Sequence, residues 1–66
     1  MMVSVNGVAR EIAAGAMLGD LIAELGVRRE GIAVARNDDV VTRGALDSTP
    51  LAEGDAIEII VAVAGG

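Results

Sequence analysis

The chain contains no cysteine, no histidine, no aromatic residue and no lysine. Without cysteine or histidine it can form neither a disulfide nor a Cys/His zinc site, the devices that most often stabilise domains of this size. Without Phe, Trp or Tyr, its core has to be built from Val, Ile, Leu, Ala and Met. The 66 residues make one small domain, and such a domain buries only about 60% of its unfolded surface, so close aliphatic packing must supply most of the stability.

Positive charge is also scarce, since five arginines face ten Asp and Glu residues and the net charge is −5. This surface repels the phosphates of nucleic acids and anionic lipids, so we expect no nucleic acid and no membrane as partner, and we expect protein partners with basic patches. The longest apolar run, residues 59–64, is far too short to span a bilayer. The N-terminus lacks the basic and apolar segments of a signal peptide, and together these features predict a cytoplasmic protein.

The first segment has the pattern of a β-hairpin. Met2–Val5 alternates apolar and polar residues, and Asn6-Gly7 suits the two positive-φ positions of a type I′ turn. Residues 8–12 then predict the return strand.

From Met17 onward the apolar spacing changes to that of an amphipathic helix. Gly26 suits a left-handed C-cap that would end the helix. Ala16 stands where a capping Ser, Thr or Asp is expected, at a cost of about 1 kcal/mol. The apolar stripe at spacing i, i+3, i+4, i+7 consists of Leu18, Leu21, Ile22 and Leu25.

The second half of the sequence predicts three further strands. Residues 32–36 show little polar alternation, which indicates a strand buried on both faces in the middle of the sheet. A turn at residues 37–39 leads to a short strand at 40–43, and an irregular stretch with room for one helical turn follows at 44–50. The longest β-branched run, residues 56–63, predicts the last strand. The order ββαββ, irregular, β predicts an α+β domain with one helix lying across a mixed sheet.

The sequence ends in Gly65-Gly66, which follows the last predicted strand directly. Neither residue has a side chain, so the pair can enter a channel too narrow for a Cβ and adopt almost any backbone conformation there. We therefore expect a domain over residues 1–64 and a flexible tail at 65–66 that enters a site on another protein. A disordered end or an expression scar is the alternative interpretation.

Five features span the whole chain and occur in a characteristic order: Asn6-Gly7 after the first strand, the helix ending in Gly26, the strand and turn at 33–37, residues 51–55 before the last strand, and Gly65-Gly66. This pattern resembles the ubiquitin-like sulfur carriers, most closely the ThiS-like carriers of thiamine biosynthesis, which are related to the small subunit of molybdopterin synthase. The resemblance implies a β-grasp fold with a mixed sheet of about five strands and one helix packed across it. Ala16 departs from the family, where Thr often caps the helix.

The resemblance also implies that Gly66 carries the chemistry. An E1-like, ThiF-type adenylyltransferase would adenylate the Gly66 carboxylate, and a persulfide donor would convert it to a thiocarboxylate, while Gly65 helps the tail to thread the channel. A thiazole synthase of the ThiG type would then accept the sulfur for the thiazole ring of thiamine. The protein would thus be a carrier rather than an enzyme, and we expect no cofactor of its own.

Three other functions fit the same residues. The carrier could serve molybdopterin or another metabolite, the chain could be a ubiquitin-like modifier that forms isopeptide bonds through Gly66, or it could be an interaction module with an incidental tail. The absence of lysine is explained by a GC-rich coding sequence, or by protection of the chain from modification by its own activated end.

A single helix cannot cover both faces of a sheet, so some apolar side chains of the last strand should be exposed and form a docking patch for partners. The sequence does not decide which face is open, and the candidates are Ile57, Ile59, Val61 and Val63. Asp38-Asp39 could be read as a metal or acid-base pair, but we interpret it as a solvated turn because no third ligand lies nearby in the sequence.

Overall fold

The structure is a computed structural model and describes residues 1–61. These residues form five β-strands, one α-helix and one 3-10 helix. In chain order the elements are β1 (Met2–Val5), β2 (Val8–Glu11), α1 (Leu18–Leu25), β3 (Ile32–Arg36), β4 (Asp39–Val41), the 3-10 helix Arg43–Ser48 and β5 (Ala56–Val61).

The strands form one mixed sheet in the order β2-β1-β5-β3-β4. β1 and β5 run parallel, and the other neighbouring strands are antiparallel. The predicted α+β architecture with one helix is confirmed, but the prediction that β3 lies in the middle is wrong, because β5 occupies that position. Ala33 of β3 is exposed and only Val34 is buried, so the unbroken apolar run reflects small alanine side chains on an open face.

The core lies between one face of the sheet and α1. Leu18, Leu21 and Ile22 of the predicted helix stripe are almost fully buried, which confirms the stripe, and Leu25 packs at its margin. The sheet contributes one alternating set of side chains, and the connecting segments close the sides. The buried residues outside the helix are Val3, Ile12, Val34, Leu46, Leu51, Ile57 and Ile59.

Both predicted chain reversals are confirmed by their backbone angles. Asn6 and Gly7 have φ values of 50° and 84°, as a type I′ turn requires, and Asn37 and Asp38 have φ values of 50° and 71°. Gly26 ends α1 in the left-handed conformation with φ 72°. These turns fix the β1–β2 and β3–β4 hairpins at the two edges of the sheet.

The helix begins at Leu18 with Met17 as its N-cap, so the missing cap at Ala16 is replaced by other contacts. The Asp20 carboxylate accepts a hydrogen bond from the Met17 N–H at 2.8 Å. The Leu18 N–H donates to the Thr49 carbonyl, also at 2.8 Å. Two amides at the helix start are thus satisfied without a Ser or Thr side chain.

A buried carboxylate stands immediately before β5. Asp55 accepts hydrogen bonds from Arg36 Nε at 2.8 Å, from Asn37 Nδ2 at 2.9 Å and from the Ala52 N–H at 2.8 Å. Burial raises the pKa of Asp55, but the three hydrogen-bond donors lower it by a larger amount. The pKa of this carboxyl group therefore lies below its usual value. The ionised side chain therefore stabilises the fold and joins β3 to the start of β5.

We predict that Asp55→Asn lowers the free energy of unfolding by about 3 kcal/mol at neutral pH, because an amide group then faces three hydrogen-bond donors. Since the folded-state pKa is depressed, the charge contributes its full stability above the unfolded pKa and loses it as pH falls through the folded value. Urea unfolding followed by circular dichroism from pH 7 to pH 3 should show the two proteins converging in acid.

The matched control is Asp47→Asn, which removes a carboxylate paired with Arg29 at the surface. Exposed ion pairs contribute little, so this variant should unfold close to the wild-type midpoint at every pH. If the difference in unfolding free energy between wild type and Asp55→Asn stayed constant down to pH 3, this would contradict the role assigned to the Asp55 charge.

Candidate functional site

The predicted reactive tail follows β5. Gly65 and Gly66 lie outside the described residues, as does Val63 of the predicted docking patch, and so does the end of the strand predicted over 56–63. The assignment of the chemistry to Gly66, and of threading to Gly65, therefore stays a prediction. What the structure provides is the strand from which the tail continues.

β5 is held by different neighbours along its length. On one side the pairing with β3 extends over most of the strand, from Arg36 opposite Ile57 to Ile32 opposite Val61. On the other side the pairing with β1 ends early, at Val5 opposite Ile57. The half of β5 nearest the tail thus has a backbone neighbour on only one side.

The side chain of Asn6 lies beside this outgoing half of β5. Its Oδ1 accepts a hydrogen bond from the Ile59 N–H at 2.8 Å, and its Nδ2 donates to the Ile59 carbonyl at 3.2 Å. The sequence pattern predicts only a turn at Asn6, because Asn at a positive-φ position is fully explained by local geometry. No local signal distinguishes a turn residue that also binds a distant strand.

The docking prediction is wrong for Ile57 and Ile59. Their exposed fractions are 1% and 9%, because both side chains face α1 and belong to the core. Val61 is 61% exposed, as predicted, and Ile60, which was not predicted, is 63% exposed. Glu58 was the missed signal, since a charged residue between two isoleucines marks the solvent face of an amphipathic strand.

The face of the sheet opposite α1 carries an apolar surface. Ile60 lies opposite Ala33, and Ala35 lies between Glu58 and Val40 on the two adjacent strands. Residues paired across a sheet share a face, so these side chains all point away from the helix. We call Ala33, Ala35, Val40 and Ile60 the open-face patch; Val40 is 79% exposed.

Asp38-Asp39, which could have formed a metal or acid-base pair, forms no such site in the described part of the chain. Asp38 and Asp39 are exposed at the start of β4, and within residues 1–61 no three potential metal-ligating side chains come together. No helix among the described residues has the length and apolar character needed to cross a bilayer.

Comparison with known proteins gives three concordant similarities. Residues 3–66 match the ThiS family. The chain is 32% identical over 65 residues to the sulfur carrier protein ThiS of Thermus thermophilus, covering 98% of this chain and 100% of that protein. The crystal structure of the thiamine biosynthesis protein ThiS from Geobacter metallireducens matches with a TM-score of 0.86 and 32% identity over the full length of both chains, which confirms the predicted β-grasp fold.

A longer relative shows the same similarity in part of its sequence. The thiazole synthase of Magnetococcus marinus is 38% identical over all 66 residues of this chain. The chain spans only 20% of the length of that protein.

We predict that truncation of two neighbouring isoleucines of β5 changes stability by very different amounts. Ile59→Ala should lower the free energy of unfolding by about 2–4 kcal/mol, because it leaves a cavity between the sheet and α1. Ile60→Ala removes a side chain from the open face and should change stability by less than about 0.5 kcal/mol. Urea unfolding of the two variants measures both values, and equal losses would contradict the burial pattern of β5.

Proposed function

This chain belongs to the ThiS family, and we propose that it is a sulfur carrier whose reactive group is the α-carboxylate of Gly66. The observation that carries the proposal is that the family match reaches from β1 through both glycines, so the fold and the tail occur together. The relative from Thermus thermophilus, which the chain covers completely, is itself named a sulfur carrier protein.

The proposed acceptor is a thiazole synthase of the ThiG type, which uses the sulfur for the thiazole ring of thiamine. The thiazole synthase of Magnetococcus marinus contains a segment similar to this entire chain. The presence of a carrier-like segment within a thiazole synthase supports the proposal that this chain functions together with such a synthase. It favours the thiazole acceptor over molybdopterin and over lysines of other proteins.

The chemistry follows from the weak electrophilicity of a carboxylate. An α-carboxyl group has a pKa of about 3.5, so at neutral pH it is an anion that resists nucleophilic attack. A ThiF-type adenylyltransferase would let a carboxylate oxygen attack the α-phosphorus of ATP, releasing pyrophosphate and forming an acyl-adenylate. We place this reaction in the cytoplasm, where ATP is available.

Sulfur then enters in two steps. The terminal sulfur of a persulfide donor attacks the acyl carbon and AMP leaves, which gives an acyl disulfide. A thiol cleaves its S–S bond, so that a new disulfide forms and the thiocarboxylate remains on Gly66. Chain residues 65 and 66 have no Cβ to crowd the phosphorus or the acyl carbon during these attacks.

The domain supplies recognition rather than reactivity. The open-face patch is an apolar surface on β3, β4 and β5, and its member Ile60 lies on the strand that precedes the tail. Glu58 lies beside the patch, and the chain has a net charge of −5, so the complementary surface should be apolar with basic residues around it. We propose that the adenylyltransferase binds this surface.

We predict that the protein, incubated with a ThiF-type enzyme, ATP, a persulfide donor and a thiol, gains the mass that corresponds to one oxygen replaced by sulfur. Fragmentation in the mass spectrometer should place the change on Gly66. The same spectrum checks that the untreated protein ends at Gly66. An intact tail that never acquires sulfur would refute the carrier function, and conjugates to lysines of other proteins would identify a modifier instead.

The matched control carries one additional alanine after Gly66. It lacks the glycine carboxylate at the end of the tail but keeps the whole domain, so it should retain the wild-type unfolding midpoint and acquire no sulfur. Normal loading of this variant would exclude a mechanism through Gly66.

We predict that Ile60→Asp raises the KM for the carrier in the adenylation reaction by about tenfold, because binding would bury an unpaired charge. The kcat should change little, since the tail is intact. Val8→Asp is the control, because Val8 is similarly exposed, at 68%, but lies on edge strand β2. Pyrophosphate release at varied carrier concentration measures both constants, and equal effects of the two substitutions would exclude the open-face patch as the docking surface.

A further inference from the structure

The β1–β5 ladder stops where the chain turns. The Asn6 N–H still donates to the Ile57 carbonyl at 2.9 Å, which is the last backbone bond between the two segments. In a continuing parallel pair the next bond would run from the Ile59 N–H to the backbone carbonyl of Asn6. The positive φ of Asn6 begins the hairpin at this position, and the ladder cannot continue.

The Asn6 side chain takes the place of the missing ladder. Its Oδ1 receives the Ile59 N–H, and its Nδ2 binds the Ile59 carbonyl, so one amide group satisfies both polar atoms of that residue. A side-chain amide has one acceptor and two donors in a plane, which matches the backbone of an adjacent strand. β5 therefore has a hydrogen-bonding neighbour on both sides up to Ile59.

A second asparagine binds the start of β5, with its backbone and its side chain together. Asn37 also has φ 50° in a hairpin turn, and its N–H donates to the Ala56 carbonyl at 2.8 Å. Its Oδ1 accepts from the Ala56 N–H at 2.9 Å. The two asparagines thus bind the first and the fourth residue of β5, and only Asn6 is on the side of the tail.

We propose that Asn6 is a positioning residue for the adenylation of Gly66, an inference that rests on the proposed function. By fixing Ile59, it sets the place and direction of the described end of β5, from which the chain continues to Gly66. Gly65 and Gly66 have no side chains through which an enzyme could correct their approach, so we expect an error at Ile59 to be carried to the carboxylate. Misplacement of a reacting group by about 1 Å can reduce the rate by about a hundredfold.

The experiment compares Asn6→Gly with Asn37→Gly. Glycine accepts positive φ, so each substitution removes the amide group without straining its turn. Pyrophosphate release with a ThiF-type enzyme and ATP gives kcat and KM, and amide hydrogen exchange followed by NMR shows whether the Ile59 and Ala56 N–H groups have lost protection. Both variants are assayed at a temperature at which circular dichroism shows them folded.

For Asn6→Gly we expect faster exchange at Ile59 and a kcat lower by about tenfold or more, with KM within about twofold of wild type. For Asn37→Gly we expect faster exchange at Ala56, with both kinetic constants close to wild type. Equal kinetic losses in the two variants, or an unchanged kcat in Asn6→Gly, would overturn the positioning role and leave the carrier function intact. Absence of adenylation in the wild-type protein would overturn the proposed function itself and, with it, this role.

Asn6→Asp is a second, independent test of the positioning role, and it applies even if Asn6→Gly does not fold. The carboxylate keeps the acceptor for the Ile59 N–H but has no donor for the Ile59 carbonyl, which it would repel. We expect protection of the Ile59 amide and kcat both to lie between those of wild type and those of Asn6→Gly. A kcat that did not follow Ile59 protection across the three proteins would contradict the proposal.

Discussion

The parallel pairing of β1 with β5 is the constraint on which the rest of the fold depends. It joins Ser4 to Ala56 and Val5 to Ile57, near the two ends of the described chain. Parallel strands need a crossover connection, and here α1 and both β3 and β4 lie between the paired segments in sequence. Once the pairing forms, α1 covers one face of the sheet and β5 becomes its central strand. Ile57 and Ile59 thereby become core residues, whereas Glu58 and Ile60 face away from the helix.

A central strand must satisfy its backbone polar groups on both sides, although its neighbours are shorter than it is. At the first and fourth residues of β5 a turn asparagine provides the missing partner, and before its start Asp55 adds a buried charge joined to Arg36. These polar contacts direct the strand, while the aliphatic core supplies the cohesion. In a domain this small the net stability is a small difference between large opposing contributions, so losing a single buried polar contact removes a substantial share of it.

The features predicted correctly are those that depend on neighbours in sequence. The helix stripe from Leu18 to Ile22, the left-handed cap at Gly26 and the turn at Asn6-Gly7 all follow from periodicity or backbone preference. The position of each strand in the sheet does not, because it is decided by pairing between distant segments. The apolar alanines of β3 therefore produced the sequence pattern of a strand buried on both faces, although Ala33 is exposed. The exposed side of β5 could have been recognised from Glu58, but the second role of Asn6 could not, because its turn already accounts for the residue.

In the carrier function proposed above, the tail and the domain have separate roles that follow from their composition. Gly65 and Gly66 lack side chains, which suits them to the narrow channel that we propose they enter, and for the same reason they offer an enzyme almost nothing to recognise. Recognition must then come from surfaces elsewhere, and the open-face patch includes Ile60 of the strand that precedes the tail. The direction of the tail must come from the last residues held in the sheet. Our proposals therefore assign affinity and reaction geometry to two adjacent residues of β5. Ile60 contributes to docking on the open face, and Ile59, held by Asn6, sets the direction of the strand.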